Sequence, residues 1–202
     1  RFYNTRNLYG WSESRVTADV MPKMTGKRPV IIARSTFASS GRYAGHWLGD
    51  NTASWNDLRT TITGVMEFNM FGLPYVGSDV CGYHLETTEE LCLRWQQLGS
   101  FHSFFRNHNE VTWPYQDPAV WPDTVAVATK KANEFRYQYL PYLYTLHYRA
   151  STQGETVVRP LFFEYPKDQE ALKTSYEFMW GSNILVAPVF TQGATTVDAY
   201  IP

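Results

Sequence analysis

The sequence predicts an α/β protein in which buried strands alternate with amphipathic helices and a short β-rich module follows. Three observations predict this class. The β-branched run RPVIIARST at 28–36 is typical of a parallel strand buried on both faces. Apolar residues then recur at helical spacing over 55–71 and over about 124–149. Towards the C-terminus short strand-like runs replace this pattern, so we predict one domain over 1–170 and the start of another over 171–202.

The helix predicted over 55–71 has recognisable ends. Its apolar residues lie three and four positions apart, which is the spacing of one helix face. Ser54 is a suitable N-cap and Gly72 a suitable stop. The following run LPYVGSD, at 73–79, predicts a second buried strand that leads into a glycine and a carboxylate.

Two more helices are predicted further along the chain. Thr87 stands three residues before Glu90, the spacing of a capping box, and this predicts a helix that continues to Phe101. The apolar stripe over 124–149 predicts a longer helix. Pro141 should kink that helix, because proline lacks the backbone N–H that the helix ladder needs.

The C-terminal part is predicted to contain β structure. Gly154 should end the long helix, and ETVVRPLFF at 155–163 predicts a third strand. Two further strand-like runs, at 183–190 and 195–201, are joined by turn residues at 192–194. These runs predict the beginning of a β-rich module.

Alternating strands and helices favour a parallel sheet, either open and doubly wound or closed as a (β/α)8 barrel. In both architectures ligands bind at the carboxyl ends of the strands. A barrel needs eight strand–helix units and about 250 residues, whereas this chain has 202. We therefore expect it to be part of a larger domain.

Composition argues against several classes of function. The 18 Lys and Arg residues balance 19 Asp and Glu residues and form no dense basic run, so nucleic acid is not an expected partner. No apolar stretch is long enough for a membrane segment, and the first residues lack the pattern of a signal peptide. Aromatic residues make up 16% of the chain, which suits a well-filled core or stacking against sugar rings.

The cysteines and histidines do not indicate a metal. Cys81 and Cys92 lie 11 residues apart, which matches no CxxC motif. From spacing alone they are either buried thiols or a disulfide closing a short loop. His102 and His108 are not accompanied by an HExxH motif, so we predict no metal and no other cofactor.

Chemistry-bearing side chains follow the predicted strands. The segment RSTFASSGRYAGHWLGDN at 34–51 comes directly after the first strand and supplies a guanidinium, an indole and a carboxylate, from Arg34, Trp47 and Asp50. Asp79 ends the second strand. Two strand-end carboxylates suit acid/base work on a glycosidic bond, although either could instead belong to a buried ion pair.

A third polar cluster, FFRNHNE at 104–110, follows a helix that should return to the same edge of the sheet. It contains Arg106, Asn107, His108 and Asn109. Side chains of these types can hydrogen-bond several sugar hydroxyls at once. The cluster therefore adds to a predicted carbohydrate site.

Four segments in order along the chain resemble glycoside hydrolase family 31, in particular its lysosomal and intestinal α-glucosidases. They are RSTFASSGRYAGHWLGDN, EFNMFGLPYVGSDVCGY, LCLRWQQLGSFHSFFRNHN and YLPYLYTLHYRA. The resemblance implies the C-terminal half of a (β/α)8 TIM barrel followed by the start of a β-sandwich domain. It identifies Asp50 as the general acid/base.

The resemblance also implies the roles of other residues. The predicted substrate-binding residues are Arg34, Trp47, Asp79, Tyr83 and His108. Cys81 and Cys92 match a disulfide pair of the family, which indicates the secretory pathway, either the lysosomal lumen or an extracellular or brush-border surface.

The implied activity is that of a retaining, exo-acting α-glucosidase that removes α-1,4-linked glucose from maltose and malto-oligosaccharides. The family's nucleophile belongs to a W-[IL]-D-M-N-E segment that this sequence lacks, so the expected partner is the remainder of the same polypeptide. Arg34 is expected to face that nucleophile or the sugar rather than Asp50, because a nearby cation makes a carboxyl group harder to protonate. Alternative functions are an α-xylosidase, glucosidase II of the endoplasmic reticulum, an isomaltase or a non-catalytic sugar-binding homologue.

Overall fold

The computed structural model describes residues 2–202. Its helices are α1 (Phe2–Thr5), α2 (Tyr9–Thr25), α3 (Trp55–Met70), α4 (Glu89–Gly99), α5 (Asp123–Gln138), α6 (Leu140–Gln153) and α7 (Leu161–Glu164). Its strands are β1 (Ile32–Ala33), β2 (Gly45–Trp47), β3 (Val76–Gly77), β4 (Asp79–Val80), β5 (Arg106–Asn107), β6 (Val158–Pro160), β7 (Phe178–Trp180) and β8 (Ile184–Val186). Short 3-10 turns lie at Arg6–Leu8, Ser40–Arg42 and Pro118–Val120.

The first five strands pair in parallel. β2 lies between β1 and β3, and β4 pairs with β5. The extended segment 76–80 connects the two groups, because β3 and β4 are separated only by Ser78. The carboxyl ends of these strands therefore lie along one edge, as the alternation of strands and helices predicted.

The strands are shorter than the sequence predicted. Only Ile32 and Ala33 of the predicted strand 28–36 are in β1, and both are half-buried rather than buried on both faces. In the described chain β1 is an edge strand, with β2 on one side. The strand β2 was not predicted. It begins at Gly45, where any β-carbon would lie 2.5 Å from the carbonyl oxygen of Tyr75, so the close pairing with the next segment requires glycine.

Helix α3 confirms the predicted spacing and N-cap. The Ser54 side chain accepts a hydrogen bond from the backbone N–H of Asp57. Helix α4 corrects the predicted cap, because Thr88, and not Thr87, precedes the helix. Thr88 has an extended backbone conformation and its side chain accepts from the N–H of Leu91, whereas Thr87 lies one residue too early to reach that group.

The long predicted helix is divided into α5 and α6. The backbone leaves the helical conformation at Tyr139, and Pro141 lies in the first turn of α6, where its missing N–H leaves no ladder bond unmade. Gly154 ends α6 in the left-handed conformation (φ 75°), which confirms the predicted stop. Helix α2, the main element of residues 2–25, was not predicted.

The C-terminal part contains an antiparallel sheet in the order β6-β7-β8. The predicted strand 155–163 is shortened to β6 and continues as α7, and β7 was not predicted. The predicted strand 195–201 was wrong. Tyr200 is held by side chains, Glu177 accepting from its N–H and Asp168 accepting from its hydroxyl, and not by a strand ladder. The predicted domain boundary at 170/171 falls between α7 and β7 and stays a prediction.

One hydrophobic core extends across the parallel and antiparallel sheets. It contains the fully buried Trp95 and Trp180, so part of the aromatic content fills the interior. The buried Asn69 ties α3 to β6: its side-chain oxygen accepts from the N–H groups of Val157 (2.9 Å) and Val158 (3.0 Å). Among residues 2–202, no helix has both the length and the apolar character needed to cross a bilayer.

Three buried or half-buried histidines predict how stability depends on pH. Burial lowers the pKa of His46 to about 4, of His102 to about 3 and of His147 to about 4. In the unfolded chain these groups titrate near 6.5, so the unfolded state binds more protons between about pH 6.5 and 4. The free energy of unfolding should therefore fall as the pH falls through this range.

The variant His102→Phe tests this expectation, because His102 is fully buried and neither ring nitrogen has a hydrogen-bond partner within residues 2–202. Removing one such histidine should reduce the loss of stability on acidification by up to about 1.4 kcal/mol per pH unit. Unfolding of the full-length protein would be followed at pH 7 and pH 5. An unchanged difference between the two pH values would contradict the expectation.

Candidate active site

Asp50 lies three residues beyond the carboxyl end of β2. Its side chain is 36% exposed, so a solute can reach the carboxylate. Nη1 of Arg34, the residue that follows β1, lies 3.5 Å from its Oδ2. This contact corrects the expectation that Arg34 would face away from Asp50. Arg34 is 61% exposed, and a pair so exposed to water contributes only about 0–1 kcal/mol, so Arg34 can leave Asp50 at little cost.

Asp79 is the first residue of β4 and is completely buried. Arg106, paired with it across β4 and β5, donates from Nε to Oδ1 at 3.1 Å and forms an ion pair through Nη2. Burial raises the pKa of Asp79, and the hydrogen bond and charge of Arg106 oppose that shift. The charges of His108 and Asp50 also act on Asp79, so the four groups share one electrostatic environment.

Two polar atoms in this region are buried without a hydrogen-bond partner among the described residues. They are Oδ2 of Asp79 and Nε1 of Trp47. The Arg106 guanidinium lies 5.8 Å from the ring of Trp47, which places the indole beside the Asp79–Arg106 pair. A buried acceptor and a buried donor without partners are the groups that a polar ligand can satisfy.

Tyr83 and His108 meet at the ends of neighbouring strands. Their ring centroids are 5.2 Å apart. Asn51, adjacent to Asp50, connects the Tyr83 loop to the segment that carries Asp50. Its Nδ2 donates to the carbonyl oxygen of Asp79 (2.9 Å), and its Oδ1 accepts from the N–H of Tyr83 (3.2 Å). The segments that follow β2 and β4 are thereby held together.

Cys81 and Cys92 form a disulfide, with an S–S distance of 2.03 Å. This confirms the pairing implied by the family resemblance and excludes the alternative of two free thiols. The bond ties the loop after β4 to helix α4 at its second turn. Tyr83 is on that loop, so the disulfide also restrains the aromatic side of the site.

The structure brings the predicted site residues together at one edge of the parallel strands. They are Arg34, Trp47, Asp50, Asp79, Tyr83 and His108. Arg106 was predicted only as a member of the polar cluster at 104–110 and not as the partner of Asp79, and the links made by Asn51 were not predicted. Among residues 2–202, no group of three or more His, Cys, Asp or Glu side chains converges as metal ligands do. A cavity of about 950 Å³ lies elsewhere, between α4, α5 and the segment after β8.

Comparison with family models decides the classification. Residues 1–146 match the TIM-barrel domain of glycosyl hydrolases family 31, and residues 154–202 match the C-terminal domain of that family. The chain belongs to glycoside hydrolase family 31. The family 31 chain is therefore a TIM-barrel segment followed by C-terminal-domain sequence, and the predicted family is confirmed.

Family 31 members from several sources are similar over nearly the whole chain. Probable maltase-glucoamylase 2 of Homo sapiens is 48% identical over 200 residues, 99% of this chain and 8% of that protein. Lysosomal alpha-glucosidase of Mus musculus is 45% identical over 200 residues, 99% of this chain and 21% of that protein. The chain thus spans only about a tenth to a fifth of these relatives' lengths.

A solved family structure, the glucosidase II alpha subunit, superposes on the chain with a TM-score of 0.91 at 30% sequence identity. The superposition covers 97% of this chain and 22% of that chain. The arrangement of strands and helices described above is therefore that of a solved family 31 glucosidase.

Proposed function

We propose that this chain supplies the acid/base side of the active site of a retaining α-glucosidase. One observation supports the proposal most strongly: the exposed carboxylate of Asp50 stands at a strand end beside the buried Asp79–Arg106 pair. In a barrel enzyme, catalytic groups occupy this end of the strands. The relatives named as maltase-glucoamylase and alpha-glucosidase support the choice of substrate.

In the proposed reaction a carboxylate from the remainder of the polypeptide attacks the anomeric carbon, and Asp50 protonates the departing glycosidic oxygen. Water then hydrolyses the glycosyl-enzyme while Asp50 accepts its proton, and two inversions leave the α configuration unchanged. Retaining chemistry needs the two carboxyl groups about 5–5.5 Å apart. Arg34 can turn from Asp50 towards the nucleophile or the sugar, because their exposed contact is weak.

The predicted binding residues have distinct proposed roles around the bound glucose. Asp79, fixed by Arg106, accepts from sugar hydroxyls through its unpartnered Oδ2. Trp47 offers its free indole N–H. His108 lines the same glucose, and the ring of Tyr83 flanks the next sugar of maltose or a malto-oligosaccharide.

We further propose that residues 1–170 are the C-terminal half of the (β/α)8 barrel and that 171–202 begin a β-sandwich domain. The parallel pairing of the first five strands supports a barrel segment, and the antiparallel pairing of the last three supports a β-rich module, which β6 joins from the N-terminal side of the proposed boundary. The disulfide and the relatives named as lysosomal alpha-glucosidase and as intestinal sucrase-isomaltase support a location in the secretory pathway, in the lysosomal lumen or at an extracellular or brush-border surface.

The experiment that tests the proposed function follows the first glucose released by the full-length protein. Proton NMR of a maltotriose digest should show α-glucose before mutarotation produces the β anomer, because the first glucose comes only from the non-reducing end and a double displacement retains its configuration. β-Glucose as the first product would contradict the proposed mechanism. Faster cleavage of isoprimeverose or of a glucosylated mannose glycan than of maltose would instead assign an α-xylosidase or a glycan-trimming glucosidase.

A further inference from the structure

Two loops carry the aromatic side of the site. One follows β4 and contains Cys81, Gly82 and Tyr83, and the other follows β5 and contains His108. The first loop has an unusual backbone, because Cys81 (φ 75°) and Gly82 (φ 96°) both have positive φ. A loop in this conformation keeps one geometry only when its surroundings hold it.

Gln116 holds both loops at once. It is 4% exposed, and its Nε2 lies near backbone carbonyl oxygens of each loop: Val80 (3.2 Å), Gly82 (3.1 Å) and His108 (3.2 Å). Its fourth neighbour is Oδ1 of Asn107, at 2.9 Å. All four neighbours are acceptors, so the nitrogen of the amide, and not its oxygen, must face them.

A second bond makes the contact with the β5 loop reciprocal. Nδ2 of Asn107 donates to the backbone carbonyl oxygen of Gln116 at 2.9 Å, while Oδ1 of Asn107 accepts from the Gln116 side chain. Gln116 is therefore fixed to the end of β5 and bridges from there to the loop that carries Tyr83. Its side chain reaches carbonyl groups on both sides of the positive-φ pair Cys81 and Gly82.

We propose that Gln116 is a positioning residue that sets Tyr83 against His108 and so shapes the subsite for the second sugar. The inference rests on the proposed function, because it assigns Tyr83 to that subsite. In this role Gln116 contacts neither the substrate nor the reacting atoms. It acts through the backbone of the two loops.

The test compares two substrates in the full-length enzyme. Maltotriose occupies the second-sugar subsite, whereas α-glucosyl fluoride has a leaving group too small to fill it. The variants are Gln116→Met, which removes both donors, and Gln116→Glu, which keeps the shape and places a carboxylate among acceptors. Each should raise KM for maltotriose about tenfold and change kcat/KM for α-glucosyl fluoride less than about threefold, the pattern of lost binding remote from the reacting bond.

The matched control is Gln97→Met. Gln97 lies on α4, where its Oε1 accepts a hydrogen bond from Arg94 at 3.2 Å, and its side chain makes no hydrogen bond to either described loop of the site. Its replacement should leave KM and kcat/KM unchanged for both substrates. A crystal structure of Gln116→Met supplies a readout independent of activity. The Tyr83 and His108 ring centroids, 5.2 Å apart in the unchanged chain, should move relative to each other.

Three results would overturn the proposal. They are equal losses of kcat/KM on both substrates, an unchanged KM for maltotriose, and unchanged positions of the Tyr83 and His108 rings. Failure of both Gln116 variants to fold would also overturn it, since Gln116 would then serve folding rather than positioning. If the unmodified full-length protein cleaves neither substrate, the proposed function fails. The crystal structure of Gln116→Met would still decide whether Gln116 positions the two rings.

Discussion

Replacing Asp50 by asparagine in the full-length enzyme should lower kcat/KM for maltose by about 10²–10⁴-fold, the usual contribution of a general acid/base. Asparagine has nearly the same shape but cannot transfer a proton to the leaving oxygen. The side chain is 36% exposed and its contact with Arg34 is long, at 3.5 Å, so the substitution should change the free energy of unfolding by less than about 0.5 kcal/mol. Asp50→Asn should therefore lose activity while it keeps nearly the same stability.

The measurement is steady-state kinetics on maltose, with thermal unfolding of the same preparations. Asp19→Asn is a matched control, because it makes the same chemical change at an exposed position on α2 that is not among the candidate site residues. Asp19→Asn should hydrolyse maltose with the same kcat/KM as the unmodified protein. Retention of normal maltose turnover by Asp50→Asn would show that another group supplies the proton.

Replacing Arg106 by methionine should destabilise the protein by about 3 kcal/mol at pH 7, because it leaves the fully buried Asp79 without its cation. The converse variant, Asp79→Asn, should lower the free energy of unfolding by less. Arg106 is 37% exposed, so its charge remains partly hydrated when its partner is neutral. The double variant should recover much of the stability that Arg106→Met loses.

The pH dependence of this cost has a defined sign. Burial already raises the pKa of Asp79 while Arg106 opposes the shift, so removing Arg106 should raise that pKa further. The folded variant then binds a proton that the unfolded chain releases near its ordinary pKa, and stability falls as pH rises through the folded-state pKa. Chemical unfolding should show a smaller cost at pH 5 than at pH 7. A cost independent of pH would mean that Asp79 does not carry the effect.

The sequence predicted best those features that depend on neighbouring residues. The Ser54 cap of α3, its apolar spacing and the stop at Gly154 are local, and the structure confirms them. Pro141 was expected to kink one long helix, whereas the structure divides that helix at Tyr139. The strands were predicted less well. β2 is only three residues long and contains glycine, and its place in the sheet depends on a close approach to Tyr75 that local pattern does not encode.

The candidate site likewise combines features that the sequence predicts with links between distant residues that it does not predict. Asp79 was singled out by its position at the end of a predicted strand, whereas Asp50 follows β2, which was not predicted. Resemblance to the family supplied the disulfide. The links made by Asn51 and Gln116 gave no signal in the sequence, because they depend on backbone groups 8 to 36 positions away. Nor did sequence reveal that Arg106 is the partner of Asp79, which follows from the pairing of β4 with β5.

The most direct test of Asp50 as acid/base is the product that Asp50→Ala forms from an activated aryl α-glucoside in the presence of azide. A good leaving group needs little protonation, so the glycosyl-enzyme should still form. Azide should then enter through the space that Asp50 vacates and give α-glucosyl azide, since the second displacement inverts the intermediate. Formation of β-glucosyl azide would make Asp50 the nucleophile, and the absence of any azide product or rate increase would contradict its role on the leaving-group face.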